Sequence, residues 1–223
     1  MNSKKYKDTL YKMRYINDLR DMIVSSAELY ADDPAFLVKD THSDPYRPIT
    51  FRTLKEDIDS LGTKLSALGL RDKKVALIGE NSYEWVVSYF AVVNGTGVIV
   101  PLDKDLPAGE VTNLLNRSEA DAVIFSGKQK KKIMEAMKNC SSAIIMINID
   151  SGEEETGIYG WKSLLEDGRE LVEKGDRSFI DAVIDREAMC SLLFTSGTTG
   201  RSKGVMLSHR NLSTNVYNMS KYV

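Results

Sequence analysis

The sequence predicts an α/β fold in which helices flank a mostly parallel β-sheet. Three observations carry this. Five short apolar runs, "VALIG", "GVIVPL", "AVIFS", "AIIMIN" and "MCSLLF", recur between residues 75 and 194. Each run is continuously apolar rather than alternating, as expected of parallel strands covered on both faces. The stretches between them suit crossover helices, and repeated strand–helix units imply a parallel sheet with right-handed connections.

Taken in order, residues 1–72 form an N-terminal helix, β-hairpin and helix. Leu19, Met22, Ile23, Ala27 and Tyr30 fall at helical spacing, and Asp32-Asp33-Pro34 ends the run. "AFLVKD" and "RPITF" read as two short strands around the turn-rich "THSDPY". Phe51, Leu54, Ile58, Leu61, Leu65 and Leu68 then make one apolar helix stripe, capped by Thr50 and ended near Gly69. Residues 73–223 form the parallel α/β part. Helices are expected over 82–94, 107–118, 128–138 and 161–174. Asn81 with Glu84 reads as an N-cap and its capping-box partner, and Pro107 fits a first helical turn. The acidic "SGEEETG" at 151–157 reads as a mobile surface loop, and "RNLSTNVYNMSKYV" as a helix with no closing signal. The chain is therefore expected to stop inside or at the end of an element.

Composition excludes several classes. The 223 residues carry 30 Lys and Arg against 32 Asp and Glu, a net charge of −2. That is not the basic surplus of a nucleic-acid binder. No apolar run approaches the roughly 20 residues of a membrane span. The N-terminus has lysines but no apolar core of a secretory signal. Cys140 and Cys190 read as reduced core residues of a cytosolic, cytoplasmic protein. His42 and His209 are far apart and no cysteines cluster, which argues against a zinc site.

The most informative stretch is "LFTSGTTGRSKGVMLSHRNL", residues 193–212. Between Gly197 and Lys203 it has no large apolar side chain and cannot build a core. It follows an apolar run, and the carboxyl end of a parallel strand is where α/β folds place ligands. Gly197, Gly200 and Gly204 allow tight turning and close approach to a ligand. Successive N–H groups can form an anion nest. Thr195, Ser196, Thr198 and Thr199 add hydroxyls, and Lys203 adds a compact cation. Those parts suit a polyphosphate. Walker A fails, because Ser202 precedes Lys203 and Gly204 follows it. The dinucleotide pattern fails too: Gly95 and Gly97 give only G-x-G, ahead of a strand.

"FTSGTTGRSKGVMLSHRNL" closely resembles the signature of the adenylate-forming superfamily, which includes acyl-CoA synthetases, aryl-CoA ligases, luciferases and peptide-synthetase adenylation domains. The family pattern is roughly [YF]-T-S-G-[ST]-T-G-x-P-K-G-V. The departure is Ser202, where the family usually has proline, a residue that would stiffen the chain before the lysine. "ITFRTLKEDIDSLGTKLSALGL", "KVALIGENSYEWVVSYFAVVNGTGVIVPLD" and "ADAVIFS" look like N-terminal blocks of these enzymes in the expected order. The resemblance thus covers nearly the whole chain, and "GENSYEW" and "VPLDKDLP" look most like bacterial long-chain fatty-acid CoA ligases.

The resemblance implies the N-terminal part of the acyl-CoA synthetase-like large domain. Residues 1–72 would complete a second sheet in the full enzyme. It implies a two-step reaction: a carboxylate attacks the α-phosphate of ATP and releases pyrophosphate, and the thiol of coenzyme A then attacks the acyl-adenylate. A carboxylate is already ionised at neutral pH, so the first step needs no general base. It needs charge stabilisation on the leaving pyrophosphate. By resemblance, Thr195, Ser196, Gly197, Thr198, Thr199, Gly200 and Lys203 bind the ATP phosphates, with Thr195 also a neighbour of Mg²⁺. The family's adenine and ribose motifs, acidic Mg²⁺ ligand, acyl pocket and C-terminal catalytic lysine are expected beyond this chain, which alone is expected to be inactive. Implied partners are fatty acid, ATP and coenzyme A, with no nucleic acid and at most peripheral membrane contact. Two alternatives stand beside this: a peptide-synthetase-type or other adenylation domain, and a stand-alone nucleotide- or acyl-binding module.

Other residues have plainer readings. His209 reads as a surface histidine at a helix start rather than a substrate contact, and Arg210 and Asn211 as helix-entry residues. "GKQKKK" at 127–132 reads as a solvated helix face. Tyr6, Leu10, Tyr11 and Met13 read as a packed or frayed segment rather than a membrane contact. Trp85, Tyr89 and Phe90 read as core. Glu80 ends a strand where it could face a ligand. Apolar surface left open on residues 1–70 would favour a homo-oligomer.

Overall fold

The computed structural model describes residues 14–39, 41, 43–141, 144–195 and 202–220. Helix α1 (Leu19–Leu29) starts at Asp18, whose side chain accepts from the Asp21 N–H, and buries Leu19, Ile23 and Ala27. Strands β1 (Pro34–Val38) and β2 (Arg47–Thr50) pair antiparallel as a separate two-stranded sheet. Helix α2 (Phe51–Leu65) is capped by Thr50, whose hydroxyl accepts from the Thr53 N–H at 3.2 Å. Its stripe buries Leu54, Ile58, Leu61 and Leu65, then unwinds through a wide turn with Gly69 at φ 82°. That left-handed conformation is why the stripe stops at a glycine.

The main sheet has seven strands: β3 (Lys73–Ile78), β4 (Gly97–Leu102), β5 (Ala122–Phe125), β6 (Ile145–Asn148), β7 (Ile158–Gly160), β8 (Met189–Thr195) and β9 (Lys203–Ser208). Their order is β7-β6-β5-β3-β4-β8-β9. All neighbours are parallel except β8 and β9, which form an antiparallel hairpin at one edge. The connecting helices are α3 (Tyr83–Ala91), α4 (Ala108–Ser118), α5 (Lys130–Met137) and α6 (Trp161–Glu173), and α7 (His209–Met219) follows β9. Because the sheet is covered on both faces, β3 and β5 read as unbroken apolar runs. Val75, Leu77 and Ile124 face a core built with α1, α2, α3 and α6. Ala76, Ile78, Val123 and Phe125 face a second core built with α4 and α5.

One contact sets the thickness of the first layer. Helices α2 and α6 pack directly on each other, and at Gly168 a Cβ would run into the Ser60 carbonyl oxygen. Gly62 of α2 similarly makes room for the fully buried ring of Phe179.

Several expectations need correction. The N-cap of α3 is Ser82, not Asn81: its hydroxyl accepts from the Trp85 N–H at 3.1 Å. Pro107 sits one place earlier than a first-turn residue, as the N-cap of α4. The three-residue β7 carries too few apolar positions to be read from sequence, and β9 turns the sheet antiparallel at its edge. Trp85, Tyr89 and Phe90 are packed on the first core but only half-buried. Cys190 is buried, whereas Cys140 is half-buried; neither is in a disulfide. Tyr6, Leu10, Tyr11, Met13 and His42 lie outside the described residues. No described helix is long and apolar enough to cross a membrane.

Gly168→Ala is expected to destabilise the fold by about 1–3 kcal/mol, because the colliding atom is backbone and cannot swing away. Chemical denaturation checks this; an unchanged midpoint would show that the α2–α6 spacing is adjustable.

Candidate phosphate-binding site

The described part of the predicted site lies where the hairpin leaves the sheet. Strand β8 runs parallel to β4, so its last residue, Thr195, lies on the carboxyl edge. In the hairpin register Thr195 pairs with Lys203, which brings the predicted hydroxyl and cation together. Ser196, Gly197, Thr198, Thr199 and Gly200 lie outside the described residues. Gly204 departs from expectation. It lies within β9 opposite Phe194, so it serves the ladder and not the turn.

Sequence reasoning missed the other wall of this site. The Ser202 hydroxyl donates to Glu110 Oε1 at 3.2 Å, and the Ser202 carbonyl accepts from Arg117 Nη2 at 2.9 Å. Arg117 also lies over the Phe194 ring, 5.5 Å from its centre. Both residues belong to α4, more than eighty positions away in sequence, so no local spacing could have pointed to them. A cleft of about 440 Å³ opens beside them, walled by Leu102, Asp103, Leu106, Phe194, Thr195 and Ser202.

The chain reverses its winding between β3 and β5: α3 leads away on one face and α5 on the other. Such a switch point opens a crevice at the carboxyl ends. Glu80 stands there, accepting from Ser126 Oγ at 2.5 Å and Gln129 Nε2 at 3.2 Å. Those bonds, the Ser126 one foremost, hold its carboxyl below the ordinary range. Gln129, within the stretch read as a solvated face, is buried for this reason.

A larger hollow, about 670 Å³, lies beneath the β1–β2 hairpin and contains none of the predicted residues. Its floor is Asp57, 5% exposed, which accepts from Tyr83 Oη at 2.7 Å and pairs with Arg169 at 2.7 Å. Burial first, then Asp57, pushes the Tyr83 phenol well above its usual range. The hydrogen bond to Asp57 raises Arg169. Size alone does not make this the reactive site: its buried carboxylate, Asp57, is already paired with Arg169 and Tyr83.

Among the described residues no three His, Cys, Asp or Glu side chains come together to hold an ion. A Thr195 hydroxyl supplies one neutral oxygen, and Mg²⁺ takes its remaining ligands from carboxylates, phosphates and water.

The AMP-binding enzyme family model matches residues 24–223. The chain belongs to that family. Among its relatives is the chloroplastic long-chain-fatty-acid–[acyl-carrier-protein] ligase AEE15 of Arabidopsis thaliana, 30% identical over 91% of this chain and 30% of that one. Another is long chain acyl-CoA synthetase 1 of the same plant, 27% identical over 91% of this chain and 32% of that one. The crystal structure of a long-chain-fatty-acid-CoA ligase from Archaeoglobus fulgidus superposes with a TM-score of 0.76 at 20% identity. It covers 97% of this chain and 41% of that one, and it shares the fold. The chain therefore spans about 30% of the length of these curated relatives.

Within this member of the family, His209 corrects the surface reading. It is 4% exposed, and its Nδ1 accepts from the Leu19 N–H at 3.3 Å, tying α7 to the start of α1. That bond requires an unprotonated Nδ1. Burial, foremost, lowers the imidazole from its ordinary value of 6.5. A base with a depressed folded pKa contributes stability that is complete above the unfolded pKa and lost as pH falls through the folded one. The unfolding free energy, measured by chemical denaturation from about pH 8 to about pH 5, should therefore fall on the acid side of 6.5, by at most ~1.4 kcal/mol per pH unit from this group. His209→Gln should fall less steeply. Equal slopes would remove His209 as the cause.

Proposed function

We propose that this chain carries the pyrophosphate-gripping part of an ATP-dependent, AMP-forming acid–thiol ligase acting on a long-chain fatty acid. The observation that carries the reading is the "FTSGTTGRSKGV" sequence at the end of a parallel strand, with Thr195 and Lys203 facing each other across its stem. The fatty-acid ligases among the relatives support the substrate class.

The chemistry follows from charge. A carboxylate approaching a triphosphate meets repulsion, and the leaving pyrophosphate gains charge as the bond to the α-phosphate breaks. Backbone N–H groups, the hydroxyls of Thr195, Ser196, Thr198 and Thr199, and the Lys203 ammonium would hold the β- and γ-phosphates. Preorganised donors of this kind stabilise developing charge without reorganising. Mg²⁺, when bound with the nucleotide, would supply further neutralisation on the phosphate oxygens, with the Thr195 hydroxyl beside it. The acyl group then passes from the adenylate to a thiol: the C–S bond forms as the C–O bond to AMP breaks, and AMP leaves. Coenzyme A is the acceptor of this reading, with the reaction placed in the cytoplasm. A carrier-protein thiol is the second reading, favoured by the acyl-carrier-protein ligase among the relatives.

The test uses the whole polypeptide to which this sequence belongs. Fatty-acid-dependent ATP–pyrophosphate exchange is expected, and Lys203→Ala should lower it by about a hundredfold, the scale of losing one charge-stabilising donor. Exchange driven by amino acids but not fatty acids would overturn the substrate class. Mass spectrometry of the thioester would separate coenzyme A from a carrier protein.

A further inference from the structure

Position 202 is where this sequence leaves the family pattern, and it is also where α4 reaches across to the hairpin. A proline there would fix φ near −65° and remove conformations from the chain just before Lys203. Serine restores that freedom. Yet Ser202 is gripped on two sides by side chains from one helix: Glu110 Oε1 accepts a hydrogen bond from its hydroxyl at 3.2 Å, and Arg117 donates to its carbonyl at 2.9 Å. Arg117 is itself oriented by the Phe194 ring of β8. Phe194 pairs with Gly204, and the next pair in register is Thr195 with Lys203. The clamp thus meets the stem of the hairpin on both strands, immediately beside the cation.

We propose that Glu110 and Arg117 are positioning residues for Lys203, supplying through two hydrogen bonds the stiffness that proline supplies in the family pattern. The proposal rests on the reading of Lys203 as a phosphate ligand. It takes the stiffness from α4, so the angle at which Lys203 leaves the sheet is set by a helix instead of a ring. Arg suits the task because its planar fork can lie flat on Phe194 while one N–H reaches the carbonyl; lysine offers only a point charge.

The experiment is a set of double-mutant cycles in the whole polypeptide. Arg117→Ala and Glu110→Ala are each made with Ser202 and with S202P. In the Ser202 background each should raise the KM for ATP in pyrophosphate exchange by about threefold to tenfold, the scale of one lost hydrogen bond. Arg117→Lys should recover part of the loss. In the S202P background the same substitutions should have little effect, because proline makes the clamp redundant. Equal losses in both backgrounds, or no loss in either, would overturn the proposal and leave α4 with a packing role only. Amide hydrogen exchange at Gly204 and Val205, measured without nucleotide, gives a second readout. Arg117→Ala should speed it with Ser202 but not with S202P. This readout stands even if the polypeptide shows no carboxylate-dependent exchange, which would defeat the ligase reading while still deciding the clamp.

Discussion

The Arg20 guanidinium hydrogen-bonds the backbone carbonyls of Asn94, Phe179, Ile180 and Ala182, and lies over the Phe179 ring. All four come from two stretches that have no regular structure of their own. Asn94 belongs to the wide turn between α3 and β4, and the other three to the passage between α6 and β8. A backbone carbonyl kept from water without a donor costs on the order of 1–3 kcal/mol; one side chain on α1 supplies a donor to four carbonyls, at Phe179 alongside the Ala182 N–H. Burial draws the guanidinium below its ordinary pKa, against the pull of Asp59, Asp18 and Asp181, and arginine stays charged throughout the working range. Where the passage lies decides where β8 enters the sheet, so the position of Thr195 depends on this cation.

Much of the fold was legible because its signals are local. The apolar stripe from Phe51 to Leu65, the Thr50 cap and the Gly69 stop are read within one helix. The buried strands announce themselves as unbroken runs because both faces are covered. What failed was either too short or too distant to read. Strand β7 has three residues. Ser82 and Asn81 are both good caps, and only the Trp85 N–H decides between them. His209 looks like any polar residue at a helix start, since the group that buries it, the Leu19 N–H, is 190 positions away.

The candidate site divides in the same way. Hydroxyls, glycines and a lysine in one uninterrupted stretch point to phosphate in sequence, because an anion nest is built from consecutive backbone groups. The pairing of Thr195 with Lys203 follows from that stretch closing a hairpin. Its lateral support cannot be found that way. Glu110 and Arg117 sit at ordinary helix-surface positions, and nothing marks them until the sheet order lays α4 against the hairpin. Gly204 shows the converse error: a glycine that looked like part of the turn is one rung of a ladder.

The sheet order also bears on how the molecule assembles. The other parallel pairs close shorter loops, the widest of them joining Val75 to Ala122, but β4 meets β8 through Ile99 and Ser191, closing a loop of about ninety residues. Closure entropy grows with loop length, and long-range pairings are slow to form. The β8–β9 hairpin can form on its own, but its docking carries the largest entropic cost of any parallel pairing in the sheet. The strand that ends at Thr195 is thus expected to be the kinetic latecomer. Substitutions in the passage that Arg20 secures would then act on the rate of folding before they act on chemistry.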